Sequence, residues 1–150
     1  MDTKDQMKFI VFALGEEKYG LGISAVREIV KWDKITKLPQ MNDRVMGIFK
    51  LRDQIIPIIS LRRQFGLPEL ANIENSEIII VEKDNLLVGI CVDNVEEVVN
   101  VSDDMIEPAT KISNIKSDII YGIAKFDDYL LILIDTKFLF AEGVVESLNS

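Results

Sequence analysis

The sequence predicts an all-β chain folded as two small, related β-barrel lobes packed on each other. Three observations carry this reading. Short apolar, β-branched runs separated by turn residues fill most of the length, helical periodicity is scarce, and the strand pattern of the first half returns in the second. With 150 residues, 48% hydrophobic and 28% charged, the chain suits one ordinary domain or two lobes sharing a core. That balance excludes wholesale disorder.

The first strand is read at Phe9–Leu14, and Gly15-Glu16-Glu17 turns it into a second at Lys18–Ile23. A third runs from Val26 to Trp32, a fourth from Met46 to Leu51 and a fifth from Gln54 to Ile59. Leu61-Arg62-Arg63-Gln64-Phe65 before Gly66 offers a turn or two of helix. Further strands follow at Glu77–Val81, Leu86–Val92, Val95–Val101, Ile119–Phe126 and Tyr129–Ile134, with Asp84-Asn85 and Asp127-Asp128 as turn pairs. Ser102 opens a short helical start, and the best helix lies at the C-terminus, capped by Asp135 or Thr136, passing through Phe138-Leu139-Phe140 and ended by Gly143. The expected domain covers 8–141, with lobes at 8–68 and 76–141 joined through Gly66-Leu67-Pro68 to Asn75; residues 1–7 and 143–150 are expected as flexible tails.

Tyr19 to Val30 aligns with Val88 to Val99 at an offset of 69 residues, and Phe9 to Phe12 aligns with Ile78 to Val81 at the same offset. Gly47 to Ile56 then aligns with Gly122 to Leu131 at an offset of 75. Shared Gly and Glu positions at one register mark an internal duplication. A small sheet of this kind closes best as a barrel, which removes its edges. Gly47 and Gly122 fall at equivalent repeat positions, so both are read as structural, at a bulge or a close approach of another strand. The halves differ in charge: residues 1–75 carry 12 basic and 10 acidic side chains, residues 76–150 carry 5 and 15. Such a molecule can present different faces to different partners.

Several function classes fall away. A net charge of -8 and a pI near 4.6 argue against a nucleic-acid partner, because such binding rests on phosphate neutralisation. With no His, Ser-His-Asp and Cys-His catalysis have no base. The single Cys91 sits in an apolar strand without a neighbouring cation and reads as a buried, inert thiol. Asp103-Asp104 and Asp127-Asp128 lack the spaced ligands of a calcium loop and read as cap and turn residues, so no metal and no cofactor is expected. Trp32 is read as either a lobe-closing anchor or an interface residue. The polar start and the absence of any apolar run near ~20 residues lead to the expectation of a cytoplasmic protein without secretory leader or membrane insertion.

The informative segment is Gly47-Ile48-Phe49-Lys50-Leu51-Arg52-Asp53-Gln54-Ile55-Ile56-Pro57-Ile58-Ile59-Ser60-Leu61-Arg62. It resembles the signature of the CheW family of chemotaxis coupling proteins, whose usual form is G-V-I-N-L-R-G-x-I-V-P-I-x-D-L-R. The flanks resemble that family in order along nearly the whole chain: Phe9 to Ile23 before Val26-Arg27-Glu28-Ile29, Lys37-Leu38-Pro39, Phe65-Gly66-Leu67-Pro68, Val88 to Asp93, and Ile119 to Leu139. Lys50, Asp53 and Ser60 depart from the usual Asn, Gly and Asp; Asp53 suits a turn that needs a left-handed residue.

The resemblance implies two five-stranded, SH3-like barrel subdomains that can exchange strands, and no catalysis. It implies an adaptor, a monomer alone, that joins the cytoplasmic tip of a methyl-accepting chemoreceptor to the regulatory domain of a CheA-type histidine kinase and is recruited to receptor arrays at the membrane. Arg52 and Glu28 match motif positions, and the expectation is that they pair on the first lobe. Arg52 has Asp127 as its repeat partner. The receptor tip, a helical rod, is expected in an apolar groove where the lobes meet, near Val26, Glu28 and Arg52. The kinase domain is expected to cap a lobe end around Ile35, Leu38 and Met46, leaving the acidic second lobe for a further such domain. Other readings are an adaptor of the same family in a pilus or other receptor-kinase pathway, and a small carboxylate-dependent hydrolase. Nothing in the spacing of Asp and Glu brings two carboxyls together for the latter.

Overall fold

The computed structural model describes residues 6–37, 39, 45–112 and 119–140. Eleven strands follow in order among them: β1 (Gln6–Leu14), β2 (Glu17–Gly22), β3 (Val26–Lys31), β4 (Val45–Leu51), β5 (Gln54–Ser60), β6 (Glu77–Lys83), β7 (Leu86–Val92), β8 (Asn94–Ser102), β9 (Ile106–Pro108), β10 (Ile120–Lys125) and β11 (Leu130–Ile134). One short α-helix, α1 (Leu61–Gln64), follows β5. The expected C-terminal helix is a 310 turn at Thr136–Phe140, with Asp135 accepting a bond from Lys137 N at 3.0 Å. The stretch over Gly143, like residues 1–5, lies outside the described residues. Gln6 and Met7, expected in a tail, open β1, and Met7 packs on the core.

The chain forms two compact units, and they are not the sequential lobes. One unit is Met1–Ala25 with Val95–Phe138; the other is Val26–Asn94 with Leu139–Ser150. The first holds the sheet β8-β1-β2-β11-β10-β9 and the second holds β3-β6-β7-β5-β4. The leading hairpin of each half therefore sits among the trailing strands of the other half. Replacing each strand by its repeat equivalent turns one order into the other. The register agrees as well. Gly20 lies opposite Leu133 where β2 and β11 run parallel, and Gly89 lies opposite Ile58 where β7 and β5 do.

The extra strand has a simple origin. In the second unit the chain after β3 returns to β4, where Thr36 and Ile48 exchange both backbone bonds at 2.8 Å. In the first unit the chain after β8 bends through the 310 turn at Asp103–Met105 and becomes β9, which pairs with β10. In each unit the continuation of an edge strand thus meets the far edge, and β9 is the counterpart of Thr36. Pro108 closes β9, as suits a residue confined to edges and strand ends.

That return explains two glycines. A β-bulge falls between Val45 and Gly47 and again between Ile120 and Gly122. A β-carbon on Gly47 would lie 2.4 Å from Ile35 Cγ2 and 2.7 Å from Thr36 O, and one on Gly122 would lie 2.8 Å from Glu107 O. The returning backbone passes where a side chain would stand. The second unit's core is built on Phe49, Ile56, Ile58, Ile78 and Ile80, the first unit's on Phe9, Val11, Val101, Leu131 and Leu133. Trp32 packs, partly buried, against the second core.

Candidate functional site

The β4–β5 hairpin turns at Arg52-Asp53, and the left-handed backbone falls on Arg52 with φ 56° rather than on Asp53, the residue expected to suit it. A left-handed residue with a side chain costs roughly 1 kcal/mol. From this turn Arg52 Nη2 donates to Glu28 Oε2 on β3. Strands β3 and β4 are the two edges of the five-stranded sheet, so the pair spans the closure of that barrel. Arg52 is 69% exposed and Glu28 29%. A second pair, Arg27 Nη1 to Glu82 Oε1 at 2.6 Å, links β3 to β6. Because β5 and β7 run parallel, the turns at 52–53 and 84–85 share one end of the barrel. Ile55, 66% exposed, and Leu86, 37% exposed, sit just inside those turns. The arrangement is an exposed, oriented guanidinium beside apolar side chains, which suits recognition of a protein surface.

Val26, Glu28 and Arg52 all belong to the second unit; Val26 is half-buried opposite Val81. Of the trio expected for the kinase, Ile35 is half-buried and packs on the core. Leu38 lies outside the described residues. Met46 is only 7% exposed and belongs to the core cluster, so its place on a contact face is corrected. It stands at the bulge, where the extra residue breaks the inside–outside alternation that a strand reading assumes.

Sequence reasoning gave no role to an enclosed ion pair among the described residues, Arg62–Asp93. Arg62 Nε and Nη2 donate to the two Asp93 carboxylate oxygens at 2.8 Å each, with side chains 15% and 13% exposed. Its Nη1 donates to Pro68 O at 2.7 Å. The bond to Asp93 holds the Arg62 guanidinium charged, above its ordinary value. Arg62 stood in the quoted motif, but a partner 31 positions away leaves no local spacing to find. Ser60 accepts from Arg63 N at 3.2 Å and so caps α1. Ser and Asp cap equally well, which accounts for Ser at that motif position.

In the first unit, Glu97 and Asp127 occupy the repeat positions of Glu28 and Arg52, so the ion pair has no counterpart there. Lys18 instead bonds Glu96 at 2.5 Å and lies 5.5 Å from the Tyr129 ring centre. Burial, then the nearby Glu97 and Asp128 carboxylates, raises the Tyr129 phenol above its ordinary value.

The CheW-like domain family matches residues 8–143. The chain belongs to that CheW-like family. Among curated relatives, the chemotaxis protein CheW of Treponema pallidum is 34% identical over 150 residues, covering 96% of this chain and 88% of its own. The CheW of Klebsiella aerogenes is 32% identical over 131 residues, covering 87% and 79%. A crystal structure of the scaffolding protein TtCheW from Thermoanaerobacter tengcongensis superposes with a TM-score of 0.82 at 41% identity, covering 93% of this chain and 96% of that one. The CheW-like match spans both units, so the exchanged pair of barrels is one family domain.

Proposed function

We propose that the chain is a non-enzymatic scaffold that couples chemoreceptors to a CheA-type histidine kinase in chemotaxis signalling. It works in the cytoplasm and is recruited to receptor arrays. Family membership supports the adaptor class, and relatives named as chemotaxis and scaffolding proteins support the pathway. The observation that carries the reading is Arg52: a long cation kept at a strained backbone position, aimed across the barrel at Glu28 and left largely exposed.

In this reading the receptor's helical tip lies against the second unit beside Val26, Glu28 and Arg52, with apolar anchors giving affinity and the charges giving orientation. The kinase regulatory domain meets the same unit elsewhere, around Ile35 and Leu38. A coupler must hold both partners at once, so the sites must be distinct. The test is a pull-down against the receptor tip and the kinase regulatory domain, separately and together, with NMR shift mapping of each partner on labelled protein. A ternary complex with two separate sets of shifted residues is expected. Mutual displacement would make this chain a competitor of one partner and end the coupling scheme.

A further inference from the structure

The connector between α1 and β6 is tied down at both ends. Past α1 the chain turns at Gly66, φ 74°, with Leu67 N bonding Arg62 O at 2.7 Å and Gly66 N bonding Arg63 O at 3.2 Å. Side chains then clamp it: Arg62 holds the Pro68 carbonyl while fixed to Asp93, and Arg63 Nη2 meets Glu69 at 3.0 Å. At the far end, Trp32 N bonds Ser76 O at 3.0 Å. Between these anchors the bonds are local, Asn75 N to Asn72 O and Ser76 N to Ile73 O.

Beneath lies a small cleft, lined by Leu70 and Ile73 from the connector and by Ser60, Arg62, Cys91 and Asp93 from the barrel. Cys91, the chain's single thiol, is 7% exposed there. Of residues 66–76, Leu70 and Ile73 are partly buried, Ile73 against the core cluster, and Ser76 at the far anchor is buried; the rest are exposed. The parallel β5–β7 ladder below does not depend on the connector for its backbone bonds. Lifting the connector therefore forfeits little apolar burial, which is the condition for local opening well below the cost of global unfolding.

We propose that residues 66–76 form a latched strap: the Arg62–Asp93 pair holds it shut over Cys91, and its release lifts the strap as a local unit while the barrel stays folded. The enclosed, two-point geometry makes Asp93 the strong half of the latch, whereas the exposed Arg63–Glu69 pair is a weak outer tie. The device rests on the second unit alone and holds whether or not the coupling reading does.

The test uses the full chain in native buffer with Ellman's reagent, whose disulfide the Cys91 thiolate attacks, releasing one thionitrobenzoate. Amide exchange is measured in parallel. Wild type is expected to react slowly, and Asp93→Asn at least tenfold faster, with faster exchange confined to residues 66–76. Arg62→Lys, which keeps the charge and loses the fork, is expected to fall between. Unchanged thiol reactivity in both variants would overturn the latch. So would accelerated exchange spread through β3–β7, because the pair would then be a general stabiliser. Should Asp93→Asn fail to fold, Arg62→Lys decides by the same two readings.

Discussion

Arg52 holds a guanidinium at a backbone angle that glycine would accept freely. Its ion pair returns little, since exposed pairs contribute about 0–1 kcal/mol. Arg52→Gly is therefore expected to leave the denaturation midpoint unchanged or raise stability by up to ~1 kcal/mol, while receptor pull-down fails. Arg52→Glu is expected to weaken receptor coupling by more than about 1 kcal/mol, roughly fivefold, with the far-UV spectrum intact. Loss of fold in either variant, or full coupling in both, would contradict this account. Cys91 gives a pH prediction. Burial first, against a weaker opposing bond from Ser76, raises its thiol above the ordinary value. A raised folded-state value favours the protonated form. The associated stability is thus present below the ordinary thiol value of about 8.5 and is lost as pH climbs through the raised value. Cys91→Ala is expected to lose less stability than wild type across that alkaline window in urea titrations. At this scale the motif made Glu28 and Arg52 legible. The residue bearing the left-handed angle was not, because one position of turn register decides between Arg52 and Asp53.

The hairpins were legible because strand length, β-branching and turn pairs agree locally. Leu86–Val92 is observed with the bounds expected, and Asp84-Asn85 takes φ 52° and 69°, the geometry of a two-residue turn. What the strands pair with was not legible from local pattern, on which pairing between distant strands leaves no mark; only the family resemblance allowed for exchange. The repeat flagged Gly47 and Gly122 for a bulge or a close approach; both are present, and the structure adds which backbone approaches, at Thr36 and Glu107. Replacing either by Ala forces a β-carbon inside contact distance of backbone oxygen, so each variant should lose about 1–3 kcal/mol in thermal or urea unfolding. Gly22→Ala is the matched control, with nothing within 4 Å of the added carbon. It should shift the midpoint far less. Equal losses at all three positions would remove the explanation.

Across the whole molecule the exchange of hairpins changes what the charge means. Counted by unit, the first carries 7 basic and 13 acidic side chains and the second 10 and 12. The sharp contrast between sequential halves softens to two acidic units, so charge alone distinguishes their faces less than the sequence halves suggested. The same exchange predicts that residues 1–68 and 69–150, expressed apart, stay unfolded by NMR, because each hairpin lacks the strands it pairs with. Mixing the two should restore a dispersed spectrum; a dispersed spectrum from either piece alone would contradict the exchange. There is also a consequence for birth on the ribosome. All five strands of the second sheet are contiguous and have emerged by Val92, so that sheet can close while synthesis continues. The β1–β2 hairpin emerges first and must wait for β11, more than a hundred positions later. Until Ile134 clears the exit tunnel, the earliest strands of this chain are an unpaired sheet edge. Pauses or truncations before that point are where aggregation of the nascent protein should begin.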